Sequence, residues 1–91
     1  MYRLEVSPAV DRDLDRLKQR IRRQDFERLR TAIRSLADEP RPRGVRKIKG
    51  AEEAYRIRVG NYRVVYEIYD SENLVLILQV ARRTETTYRS Q

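Results

Sequence analysis

Residues Tyr55 to Tyr66 read YRIRVGNYRVVY. Apolar and basic residues alternate on both sides of Gly60-Asn61, and strict alternation is the period of a strand. A two-residue Gly-Asn link between two such runs signals a hairpin turn. With that loop, Val59 pairs with Tyr62, Arg58 with Arg63 and Arg56 with Val65. Tyr55, Ile57 and Val59 then share a face with Tyr62, Val64 and Tyr66, which is the natural core face. Arg56, Arg58 and Arg63 are left together on the other. A ribbon with two such unlike faces belongs to an antiparallel sheet covered on one side only.

That polar face has a cost. Like charges directly across a ladder destabilise it by a few tenths of a kcal/mol, up to about 1, so stability alone would place Glu or Thr opposite Arg58. Two readings are open: a solvated face in an arginine-rich chain, or an anion site. The anion most in need of several guanidinium groups is a phosphodiester. Lys and Arg total 21 against 14 Asp and Glu, a net charge of +7. This balance favours nucleic acid, or an acidic protein that masks the charge. Cysteine and histidine are both absent. Disulfides, thiolate metal sites, the usual general base and the commonest zinc ligand are therefore excluded, and neither metal nor cofactor is expected. No apolar run approaches the roughly 20 residues that span a bilayer, and no signal-peptide pattern opens the chain. A cytoplasmic protein with no membrane partner is the expectation. At 91 residues, one domain over 1–91 with a modest core is the default.

Tyr2, Leu4 and Val6 alternate with Arg3 and Glu5, predicting a first strand over 2–6. Ser7-Pro8 is an N-cap followed by an N1 proline. Val10, Leu14, Leu17 and Ile21 recur at helical spacing and predict a helix over about 8–21. Its acids come first and its bases last, which suits the helix dipole. Asp11 and Asp13 do not share a face, so they are read as a solvated surface and not as an acid/base pair. Phe26, Leu29, Ile33 and Leu36 predict a second helix over about 24–37. Neither apolar stripe can be buried by the other alone, so both helices need the sheet.

Pro40, Pro42 and Gly44 make the next segment a loop. Residues 45–49 alternate and read as a short edge strand or an extended loop, carrying Arg46, Lys47 and Lys49 beside the hairpin. Strands follow at about 54–59 and 62–69. Leu74 to Ala81, LVLILQVA, is apolar on nearly both faces and should be a central strand, whose register its own pattern leaves unfixed. A three-residue loop of Ser71, Glu72 and Asn73 pairs Asp70 with Leu74, sets Arg63 opposite Ala81 and brings Arg83 beside the turn on the polar face. A four-residue loop brings Arg82 there instead. The shorter loop is favoured. The order is β-α-α-β-β-β, with an optional extra edge strand: an α+β fold, a helical hairpin on one face of a largely antiparallel sheet, its other face open.

Arg56, Arg58, Arg63 and Arg83 would converge on that open face. Arginine stays protonated, so it cannot act as a general base, but it can hold the extra charge of a five-coordinate phosphorus. RNA carries its own nucleophile, the 2′-hydroxyl, and a site that orients it in line needs neither metal nor histidine. Tyr88 is either a packed terminal anchor or a group that stacks on a base or moves a proton. Glu52, Glu53 and Glu85 are weaker candidates for the base.

The hairpin YRIRVGNYRVVYEI, preceded by VRKIKG and followed by a strand ending VARRTETTYR, resembles the RelE/ParE superfamily of toxins, and the RelE branch more than ParE. The similarity covers nearly the whole chain, and the hairpin is its specific part. The resemblance implies a RelE-like fold and a type II toxin with a cognate acidic antitoxin. It implies an mRNA endonuclease (an mRNA interferase) that works in the ribosomal A site by 2′-hydroxyl attack without metal. By position the family's site maps to Arg56, Arg58, Arg63, Arg83 and Tyr88, with Arg82 as the alternate to Arg83. Arg46, Lys47 and Lys49, placed beside the hairpin, and Arg82 are expected as further RNA contacts. The first two positions are lysines in the best-studied branch, so here they could supply charge only. The alternatives are a ParE-like inhibitor of DNA gyrase and an inactive basic binding module of the same fold. Sequence-specific DNA binding is not expected, since the DNA-reading part normally sits on the antitoxin.

Overall fold

A computed structural model describes residues 1–83. The chain enters through β1 (Arg3–Val6) and turns at Ser7, whose Oγ accepts a hydrogen bond from the Val10 N–H at 3.3 Å. With Pro8 in the first turn, this cap starts α1 (Pro8–Arg20) where the sequence places it. After Ile21 and Arg22, α2 runs Arg23–Ser35. Both helices turn the stripe that their spacing predicts toward the sheet, with Phe26 half-buried at the start of α2. Val10, Leu29, Ile33 and Leu36 are buried, and Leu14, Leu17 and Ile21 pack at the margin.

Beyond α2 the strands are β2 (Arg46–Lys47), β3 (Ala54–Val59), β4 (Tyr62–Tyr69) and β5 (Leu74–Arg82). They form one sheet in the order β1-β5-β4-β3-β2. β1 runs parallel to β5, and every other pair is antiparallel. The optional edge strand is thus real but two residues long. Both helices lie on the face of Ile57, Val59, Tyr62, Val64, Tyr66 and Ile68, which are buried. The hairpin has the register that alternation predicts: Val59 opposite Tyr62, Arg58 opposite Arg63, Arg56 opposite Val65. Gly60 has φ +60° and Asn61 does not have a positive φ. That is the II′ pattern, in which glycine at the first loop position matches the twist of the strands.

The β4–β5 connection corrects the three-residue loop. Tyr69 pairs with Leu74, so four residues intervene: a 3-10 turn over Asp70–Glu72, then Asn73 at φ 51°. Asn73 tolerates the left-handed region better than most residues because its short side chain can bond locally. A four-residue loop would have carried Arg82 to the polar face. It does not, because Tyr66 pairs with Ile77 while Val65 pairs with Gln79, leaving Leu78 as the extra residue of a β-bulge. The bulge restores the shift. Arg63 still lies opposite Ala81, and Arg82 lies opposite Tyr62.

The loop after α2 is tied down at several points. The buried Tyr66 hydroxyl donates to the Pro40 carbonyl at 2.7 Å. Arg41 holds Asp70 through both carboxylate oxygens, at 3.0 and 3.3 Å, and lies 5.2 Å from the centre of the Tyr55 ring. The Tyr2 hydroxyl donates to the same carboxylate. The Arg41–Asp70 pair is exposed and worth little as a surface ion pair. Its consequence is positional, because the segment that it anchors delivers Arg43 and Arg46 to the sheet.

Candidate nucleic-acid interface

On the open face the strands place their arginines in two facing pairs. Arg46 of β2 is opposite Arg56 of β3, and Arg58 of β3 is opposite Arg63 of β4. Arg43 joins them from the loop, where Gly44 at φ +88° makes the turn into β2. These five arginines, with Gly44 and Ile57, line one hollow of about 360 Å3.

Among the described residues, none of the five makes an ion pair. The described ion pairs join Arg3 to Glu5, Arg16 to Asp13, Arg30 to Glu27 and Arg41 to Asp70. The open-face acid on β4, Glu67, sits opposite Ala54 and away from the cluster, and its Oε1 accepts from the Tyr69 hydroxyl at 2.6 Å. That hydrogen bond to Glu67 pushes the Tyr69 phenol up to about 12. The Arg63 Nε is buried and, among the described residues, lacks a hydrogen-bond partner. A buried donor left unpaired costs about 1–3 kcal/mol. Fixed guanidinium groups around a concave space, without internal carboxylates, can bind an oxyanion through charge-assisted hydrogen bonds. They cannot take up a proton.

The other residues singled out in the sequence divide. Arg83 follows β5 beside the hairpin turn, its backbone N–H donating to the Asn61 carbonyl at 2.7 Å. Alternation from Ala81 assigns it the side of Arg63. Arg82 is on the opposite side, facing the helices in a hollow with Tyr62 and Arg28. Lys47, opposite Tyr55, also turns from the open face, and with Lys49 and Glu52 it lines a separate hollow. Glu53 and Glu52 are exposed and line no part of the arginine hollow. Tyr88 and Glu85 lie outside the described residues. Arg43 was not foreseen as part of the cluster. The signal for it was the Pro-Arg-Pro-Arg-Gly run, where two prolines and a glycine restrict the loop that carries it.

Two helices packed on one side of a five-stranded mixed sheet make the α+β fold of the RelE toxins. The family model described as ParE toxin of the type II toxin–antitoxin system matches residues 4–86, and the chain belongs to this family. Within the superfamily it is close to RelE-type toxins. A Methanocaldococcus jannaschii protein named as a toxin, RelE1, is 26% identical over 92 residues, covering 98% of this chain and 97% of its own length. The archaeal RelE–RelB complex of Pyrococcus horikoshii OT3 is similar at TM-score 0.76 and 28% identity, over 92% of this chain and 97% of that one. The isolated Escherichia coli RelE toxin shares the fold at TM-score 0.74 and 20% identity, over 99% and 95% of the two chains.

Proposed function

We propose that this chain is a ribosome-dependent endoribonuclease toxin that cuts mRNA by internal attack of a 2′-hydroxyl. The observation that carries this reading is the hollow of five arginines, none of which is ion-paired among the described residues. A phosphodiester seated there would be neutralised on several sides. The 2′-oxygen attacks the adjacent phosphorus, the bond from phosphorus to the 5′-oxygen breaks, and the products are a 2′,3′-cyclic phosphate and a 5′-hydroxyl. One proton leaves the 2′-oxygen and one reaches the departing 5′-oxygen. The arginines hold the charge of the five-coordinate intermediate. Arg63 is the favoured donor, being half-buried in the wall of the hollow and directly opposite Arg58. The ribosome would present the mRNA strand, and a single domain over 1–91 would act in the cytoplasm.

The partner that restrains it would be an acidic antitoxin; the similar Methanococcus jannaschii structure is a RelB–RelE antitoxin–toxin complex. Net charge +7 makes such a pairing weaken with salt. The test is primer extension on mRNA in a translating extract. Arg63→Ala and Arg83→Ala should each lower the cutting rate by about 100- to 1,000-fold, the usual cost of removing one transition-state donor, while the protein stays folded. Full cutting by both variants would remove the arginine site from the mechanism. The ParE family model favours a second reading, inhibition of DNA gyrase. A supercoiling assay with purified gyrase decides between them, since intact mRNA with blocked supercoiling supports only the second.

A further inference from the structure

A second basic hollow, of about 320 Å3, lies on the helix side of the hairpin tip. Arg20, Arg22, Arg28 and Arg82 line it, with Asp25 as the acid. Asp25 sits in the first turn of α2 and Arg20 in the last turn of α1, where helix dipoles favour those charges. Arg22, Arg28 and Arg82 have no such explanation. All three are exposed, and among the described residues no ion pair engages them.

A third hollow, of about 410 Å3, joins the two. It shares Arg43 and Arg58 with the open-face hollow, and Arg28 and Gly60 with the helix-side hollow. It follows the outer edge of β3. There β2 pairs only as far as Arg56, so the edge from Ile57 to Val59 stays uncovered among the described residues. Ala32, Leu36 and Pro42 form its apolar wall. Arginine therefore occurs at both ends of this passage, and Glu39 is the one acid among its lining residues.

We propose that the three hollows form one track for a single RNA strand, and that Arg22, Arg28 and Arg82 bind a second phosphodiester away from the bond that is cut. This rests on the RNA reading above and extends it to the length of strand bound. The track offers charge and an apolar wall but, among the described residues, no exposed aromatic platform. Binding along it follows the backbone with little base preference and depends strongly on salt.

The test uses 2′-O-methyl RNA, which lacks the nucleophile, so binding is read without cutting. A short oligonucleotide fills only the open-face hollow, and a longer one reaches both ends. Replacing Arg22, Arg28 and Arg82 together by Gln should weaken the longer probe alone. Its log-log salt slope should fall by about 0.7 for each phosphate that is no longer neutralised. Replacing the three together by Lys should retain most of the affinity, and matching melting curves establish that the variants are folded. Equal weakening of both probes, or none for the longer one, overturns the second site. So does dependence of poly-glutamate binding, but not RNA binding, on the three arginines, which would make this an acidic-peptide surface. The outcome is separate from that of Arg63→Ala and Arg83→Ala, because those are read by cutting.

Discussion

Arg58→Glu should make the protein more stable and less able to handle RNA. Arg58 is directly opposite Arg63 in the β3–β4 ladder, and Arg46 is directly opposite Arg56 beside them. Side chains in directly opposed positions have Cβ atoms about 4.5–5.5 Å apart, and a like pair costs about what an opposite pair gains, roughly 0.2–1 kcal/mol each. Reversing the charge removes the first term and adds the second, a gain of about 1 kcal/mol. For a domain of this size that raises the melting temperature by about 4–8 °C. The measurement is thermal unfolding by circular dichroism at low ionic strength and again near 1 M salt, where a Debye length of about 3 Å should erase most of the gain. Lys49→Glu is the control, since it changes net charge equally but stands outside the arginine hollow. RNA cutting by Arg58→Glu should fall sharply although the fold is firmer. A melting temperature that drops, or that Lys49→Glu raises as much, would refute the view that the facing arginines are held together against their own repulsion.

Three further outcomes follow from the packing. Tyr66→Phe leaves the buried Pro40 carbonyl without its donor and should cost about 1–3 kcal/mol, read as a lower denaturant midpoint. It should also weaken RNA binding, because the loop that it releases carries Arg43. Leu29, fully buried beneath the sheet, should lose about 2–5 kcal/mol on truncation to Ala, measured by urea unfolding. The hydrogen bonds from Arg41, and then from Tyr2, hold the Asp70 carboxyl below its usual range. A lowered folded-state value contributes stability above the unfolded carboxylate value and loses it as pH falls through the folded one. Asp70→Asn should therefore flatten the acid side of the stability–pH curve, which melting curves across acid pH would detect.

The hairpin was legible residue by residue because each strand has one apolar and one basic face. A slip of one position would put Arg56 and Arg58 under the helices, where a lone buried charge is prohibitive. Arg56, Arg58 and Arg63 consequently fall together with no further information. β5 was not legible in the same way. LVLILQVA is apolar on both faces, so a slip within it carries little penalty, and its register depends on backbone detail at either end. Two features absent from the pattern then act in opposite directions. The Asp70–Asn73 loop takes one residue more than expected, and the bulge at Leu78 takes that shift back. The expected pairing of Arg63 with Ala81 is thus met by a route that the sequence did not indicate. β2 shows the complementary limit. Its five alternating residues yield two paired ones, and that short ladder admits Arg46 to the open face and turns Lys47 away. Summed charge was visible from composition, but which charges share a hollow was decided by where each ladder stops. The late start of β2, at Arg46 opposite Arg56, also leaves the outer edge of β3 unpaired from Ile57 to Val59 among the described residues. One truncated strand thus divides the basic residues between faces and opens the passage that joins the two arginine hollows.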